Sequence, residues 1–315
     1  MPEAELLSKK LTILVNSCDA YADIWPIFFR CLKKYWNTEG VEILLNTESL
    51  DYSFEGLAVR CVHFSGSAYG ARMIHALREV RTKYVLPLLD DFFLRQPVDN
   101  RRVNQLVRWM EEDPRILCFN SEIIKTDGDL PCAYPGYKPV PPGTEYRLNM
   151  QAAVWRTDKL LRCWRPEVTP WEWEQCCEIR GCWHKNDLVF CRQSGPALFD
   201  YGNDWVGRYF AIHRGKWVEE DVVPFFEKEG IDADLFVRGF FDESAVQAPP
   251  APDLGRMGTH LQTCRDAWRT LGPEGLIHVI PFECRWFFRK LAGKENKLGF
   301  YDYTRARARR AAEKR

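Results

Sequence analysis

The sequence has no charge excess: 44 Lys and Arg stand against 44 Asp and Glu in 315 residues. It therefore lacks the basic footprint of a nucleic-acid binder. No stretch approaches 18 consecutive apolar residues, so no transmembrane helix is expected. Residues 1–17 lack the basic lead-in and small-residue cleavage site of a secretory signal, and a cytosolic setting is expected. The twelve cysteines have no regular spacing and are expected as reduced thiols. Cys176, Cys177, Cys182 and His184 crowd into nine positions without the paired spacing of a zinc finger. Internal repeats, a dinucleotide fingerprint and a Gly-x-Ser-x-Gly elbow are all missing, which argues against a repeat array, a Rossmann oxidoreductase and an α/β-hydrolase.

What is present is alternation. The run LTILVNSCD (11–19) is a short apolar strand, and residues 23–36 repeat apolar positions at helical spacing. Asp23 is the expected N-cap of that helix, with Pro26 in its first turn. Strands follow at VEILLNTES and VRCVHF, a helix at SAYGARMIHALREVRT (67–82), and a fourth strand at KYVLPLLDD (83–91). Strands and helices alternating at this interval predict βαβ units and a mostly parallel sheet flanked by helices. Further on come a helix (98–113), a strand (115–124), an irregular Pro- and Gly-rich loop (125–146), a strand and helix (147–164), and a helix opening at TPWEWE. Late strands are expected at LVFCRQ and GRYFAIHRGKW, and a short helix at 219–230.

The fourth strand poses a chemical question, because six nearly uniform apolar residues, Tyr84 to Leu89, run straight into Asp90 and Asp91. In open α/β sheets, ligands bind beyond the carboxyl ends of the strands. Two adjacent carboxylates repel unless a cation lies beside them, and a divalent ion carrying a diphosphate would meet that need. Taken alone, the pair reads first as a turn cap at Asp90 and a solvated acid at Asp91.

The segment SAYGARMIHALREVRTKYVLPLLDDFFL resembles the core of GT-A-type, family-two-like bacterial glycosyltransferases of surface-polysaccharide biosynthesis. LNMQAAVWRTDKLL is similar to their acceptor-side strand and helix, TPWEWE to the acidic segment bearing a catalytic base, and RGKW to a late turn. Together these cover residues 11–239. The resemblance implies a GT-A-type nucleotide-diphospho-sugar transferase fold, a nucleotide-sugar donor, a saccharide or lipid-linked acceptor, and Mn or Mg as cofactor. It implies nucleotide contacts from Ser17, Asp19, Arg72, Asp90 and Arg214, and metal contacts from Asp91 and His213. Glu174, with Glu172 as the second choice, would be the base, and Trp171 and Trp173 would lie on the acceptor side. The family motif is Asp-any-Asp, whereas Phe92 occupies the third position here. Asp91 must then take the metal role, or the metal grip is weak, or the enzyme works without one. A carboxylate base favours inversion.

The expected layout is a GT-A-type domain (1–244), a Pro- and Ala-rich linker (245–255) and a basic amphipathic helical extension (256–315). That extension either packs on the domain or makes peripheral contact with an anionic membrane at its inner face. Two rivals remain: a sugar nucleotidyltransferase, whose Gly-rich basic loop after the first strand is absent here, and a binding scaffold with a decayed site.

Overall fold

The computed structural model describes residues 9–126, 131–144, 146–174, 187–202, 211–245 and 255–293. Its centre is an eight-stranded sheet in the order β3-β2-β1-β4-β7-β5-β8-β6. The strands are β1 (Leu11–Asn16), β2 (Glu42–Thr47), β3 (Val59–His63), β4 (Tyr84–Leu89), β5 (Ile116–Asn120), β6 (Tyr137–Pro139), β7 (Ala153–Arg156) and β8 (Leu188–Arg192). Strands β3, β2, β1 and β4 run parallel, as do β5 and β8, whereas β7 is antiparallel to both of its neighbours. This is the α/β architecture that the sequence led us to expect, a mostly parallel sheet flanked by helices. The edge strand β6 lies inside the stretch expected to be a plain loop. It pairs with β8 because Tyr137 joins an aromatic cluster with Trp109 and Phe119.

Period-two alternation sends Leu11, Ile13 and Val15 of β1 into one core and Leu14 into another. The first core is covered by α1 (Trp25–Tyr35), α3 (Asn100–Glu112) and α6 (Glu219–Glu229). The second is covered by α2 (Tyr69–Glu79), α4 (Thr157–Cys163) and α5, described over 170–174. With both faces covered, strands β1, β4 and β5 can be apolar almost throughout. Helix α3 starts as its sequence directs, with the Asp99 carboxylate accepting from Arg101 N–H (2.9 Å).

Helix α1 departs from expectation. A 3-10 turn (Asp19–Ile24) precedes it and Ile24 is its N-cap. Asp23 does not cap; Arg238 holds its carboxylate instead, at 2.7 Å from Nε.

Pro87 sits in a central strand, where proline is unusual. Thr157 N–H donates to Lys83 O (3.0 Å), so alternate residues of β4, Pro87 among them, turn their backbone polar groups toward β7. The β4–β7 ladder ends at Val85, while β7 stays paired with β5 through Ala153. The sheet therefore parts between β4 and β7 at the missing donor, just before Asp90 and Asp91.

The late segment forms a hairpin of β9 (Ile212–His213) and β10 (Lys216–Trp217). Arg214 and Gly215 both have positive φ (51° and 79°), as a two-residue hairpin turn matching strand twist requires. Two further helices, α7 (Gly255–Leu271) and α8 (Pro273–Leu291), fold on each other around Gly272. Residues 246–254 of the expected linker, and the Cys176–His184 cluster, lie outside the described residues. Among the described residues, no helix is long and apolar enough to cross a membrane.

Candidate active site

The chain leaves β1, builds β2 and β3 on one side, and returns on the other side of β1 as β4. The carboxyl ends of β1 and β4 thus flank the point where strand order reverses, the usual mouth of a ligand site in such sheets. Ser17 follows β1 and Asp90 follows β4, and the Ser17 hydroxyl donates to the Asp90 carboxylate. The indole N–H of Trp25 donates to the same hydroxyl at 2.6 Å. This relay fixes Asp90, which is buried. Burial, then the neighbouring Asp91 charge, push its carboxyl well above the ordinary range, against the pull of the Ser17 and Trp25 hydrogen bonds.

Asp91 is half-buried, and its carboxyl is pushed up to about 7 by burial; its own backbone N–H and the Arg238 guanidinium act in the opposite direction. Arg238 crosses the Tyr21 ring 4.3 Å from its centre and donates to Ala20 O (2.9 Å) and Gly215 O (3.2 Å). It is the fixed cation of the site, and the sequence reading missed it. A single arginine in a turn-rich stretch carries no local signal.

Across the cleft, the amino end of α2 supplies Tyr69 and Arg72. Arg72 lies over the Tyr69 ring, 5.5 Å from its centre, and pairs with Glu48 at the end of β2. The Tyr69 hydroxyl is buried without a hydrogen-bond partner among the described residues. Its pKa is raised, chiefly by desolvation, and Asp91, Asp90 and Glu174 add to the shift. The Arg72 guanidinium beside the ring acts in the opposite direction. Gly70 permits this placement, because a Cβ there would lie 2.0 Å from Arg165 O and 3.0 Å from Val168 O. Only a glycine lets the start of α2 slide beneath that turn.

The two candidate bases separate cleanly. Thr169 N–H and hydroxyl donate to Glu172 Oε2 (3.0 and 2.9 Å), and Glu172 N–H reaches Thr169 Oγ1 (3.3 Å). This reciprocal capping starts α5, and Arg269 of α7 takes the other carboxylate oxygen. The pattern Thr-x-x-Glu was readable in TPWE. Glu174 instead accepts from Met150 N–H (2.9 Å), and desolvation raises its pKa. Of the two, it is Glu174 whose charge reaches Tyr69.

The two tryptophans also part company. Trp171 is 71% exposed. Trp173 is 2% exposed, stacked on Trp164 with centres 4.7 Å apart and edge-on to Trp155. The structure therefore corrects Trp173 from an acceptor-side residue to a core residue: two positions along a helix turn about 200°, which sets the two indoles on opposite sides.

Asp19 faces away from a ligand role. Its carboxylate accepts from the N–H groups of Glu48, Ser49 and Leu50 (3.0, 3.2 and 3.3 Å), clamping the β2 loop. The structure brings Arg214 to the hairpin tip beside Arg238. His213 packs edge-on to Phe241, 4.6 Å between centres, and its pKa is lowered by burial and by Arg214. Asp91 is not among the groups acting on it. Among the described residues, no group of three or more His, Cys, Asp or Glu side chains gathers as a metal site. The donor set fits a cation held by Asp91 together with a ligand's phosphates, since magnesium commonly takes one or two carboxylates and substrate oxygens.

Tyr201 is a further residue the sequence reading passed over. It is buried and edge-on to Phe92 (5.3 Å), and its pKa is raised by desolvation and then by Glu122 and Asp91. Phe92, which stands where the family motif has its second Asp, is therefore a packing residue.

No protein-family model and no curated protein matches the sequence. Several solved structures are similar. CMP:2-keto-3-deoxy-manno-octonic acid synthetase complexed with CTP shares 16% identity over 60% of this chain and 92% of its own, at a TM-score of 0.34. S. aureus TarS 1-349 in complex with UDP shares 12% over 60% of this chain and 59% of its own, at 0.41. A cytidylyltransferase from Leptospira borgpetersenii shares 15% over 53% of this chain and 68% of its own, at 0.31. Likeness at this level carries no argument about activity.

Proposed function

We propose that this chain is a glycosyltransferase moving a sugar from a nucleotide-diphosphate donor to a saccharide or lipid-linked acceptor, with inversion, in polysaccharide assembly. The observation that supports the reading is the acid pair after β4 at the strand-order reversal, with Asp90 fixed by the Ser17 hydroxyl and the Trp25 indole. Sugar transfer needs a deprotonated acceptor hydroxyl, a neutralised leaving diphosphate and a dry site.

Glu174 suits the first need: desolvation raises its affinity for a proton, and Met150 N–H fixes one oxygen so that the other can accept. The Tyr69 hydroxyl supplies a buried donor for a ligand oxygen. Ser17 and Trp25 hold Asp90 for a ribose contact. Arg238 and the exposed Arg214 place positive charge on the diphosphate side. Asp91 would hold a divalent cation, which when bound would neutralise the leaving diphosphate. Trp171 offers an exposed ring for an acceptor sugar.

The test is a thermal-shift panel of UDP-, GDP-, CMP- and dTDP-sugars, with CTP and UTP alongside. Each is run with and without manganese, on wild type and Asp91→Ala. A shift confined to one nucleotide sugar, requiring metal and lost in the variant, supports the transferase. A shift with CTP or UTP alone moves the assignment to a sugar nucleotidyltransferase. No shift with any nucleotide leaves the binding scaffold.

A further inference from the structure

The turn that carries Trp171 is held from two sides. On one side, Pro166 O accepts from Ala71 N–H (2.8 Å), and Arg165 O and Val168 O close over Gly70 at the start of α2. On the other, the α7–α8 hairpin supplies the support. Gly272, at the hairpin turn, is buried, and a Cβ there would lie 2.5 Å from Arg165 Nη1. Three residues earlier, Arg269 of α7 donates to the Glu172 carboxylate. Asp266, one turn before it, lies 3.7 Å from the same guanidinium nitrogen.

The partners of Glu172 do different things. Its bonds with Thr169 are local and shape the turn without fixing where the turn sits. Arg269 is 97 residues away on another element, so its bond sets the place of the turn against the hairpin. Trp171 precedes Glu172 and is 71% exposed. With so little packed on the ring, its direction follows from the backbone of that turn. The ion pair is itself partly exposed, and such pairs add little to global stability. Its effect falls on position.

We infer that Arg269 is a positioning residue for the acceptor. Through Glu172 it holds the first turn of α5 so that the Trp171 ring stands where the apolar face of a saccharide can lie on it. The ligand rests on the transferase reading; the tether between α7 and α5 does not.

The test is fluorine NMR of the full-length chain labelled with 5-fluorotryptophan, the Trp171 line being assigned by its loss in Trp171→Phe. In Arg269→Ala that line should shift and broaden while the lines of the core indoles Trp36 and Trp155 stay in place, and Arg269→Lys, which keeps a cation, should restore it. The p-nitrophenyl glycosides of glucose, galactose, mannose and N-acetylglucosamine serve as saccharide probes. At least one should move the Trp171 line of the wild type, and its binding should weaken about fivefold in Arg269→Ala. A Trp171 line unchanged in Arg269→Ala, or one that moves together with the core lines, overturns the tether. A Trp171 line that no glycoside moves, or equal glycoside binding in Arg269→Ala and wild type, overturns the acceptor role. Failure of the transferase reading would show separately, as no shift with any donor in the thermal panel.

Discussion

Replacing Asp91 with Asn should stabilise the protein, and more so as pH rises. A carboxyl that titrates near 7 in the folded chain and near 3.8 when unfolded holds its proton more tightly when folded. Its contribution is therefore fully favourable below pH 3.8 and is lost as pH rises through 7. The displacement of about three units is worth about 4 kcal/mol at most. Asp91 is half-buried, and solvent screening brings that to about 2 kcal/mol at pH 8. The Asn side chain keeps the shape without the charge. Urea unfolding at pH 5 and pH 8 should show the variant ahead by about 2 kcal/mol at pH 8, with a lead about 1 kcal/mol smaller at pH 5. Asp90 remains in both proteins, so the difference isolates Asp91 and its repulsion of Asp90. Curves for the two proteins that run parallel across pH, or a variant less stable at pH 8, would refute the electrostatic account of the site. Manganese with the cognate nucleotide should raise the wild-type midpoint at pH 8 and leave the variant unmoved.

Three further perturbations separate structural from chemical roles. Glu172→Ala should cost about 1–2 kcal/mol of stability through the lost cap and leave most turnover, whereas Glu174→Gln should leave the melting temperature nearly unchanged and reduce kcat at least about 100-fold. Tyr69→Phe removes a hydroxyl that has no partner among the described residues, so thermal melts should show no loss of stability while donor binding weakens. Gly70→Ala should destabilise by about 3 kcal/mol or more in chemical denaturation, because its Cβ meets backbone carbonyls that have no rotamer to yield.

Elements whose signal is local were readable in advance. The apolar runs of β1, β2 and β4, and the acids ending β4, announce themselves by period and by charge. Asp99 and Thr169-x-x-Glu172 mark helix starts, although an acid in a Trp-rich segment such as Glu172 also fits a base. What stayed hidden depends on contacts between distant segments. Arg238 acts on Asp91 from nearly 150 residues away in the chain, and Trp171 and Trp173, two apart in sequence, have opposite fates that only the packing of α5 on Trp164 decides. Asp23 satisfies every rule for an N-cap, yet it serves Arg238, since a buried guanidinium without a carboxylate costs more than an uncapped helix. The edge strand β6 was concealed because its three residues are recruited by an aromatic cluster rather than by a pattern of their own.

Pro87 has a consequence for folding as well as for the shape of the cleft. Strand β7 enters between β4 and β5 from far along the chain, and a two-residue slip would preserve its alternation of faces. Sliding further along β4 would call on a backbone donor at Pro87, and none exists. One residue on the early strand thus rejects the mispairing that the side chains of the late strand would tolerate.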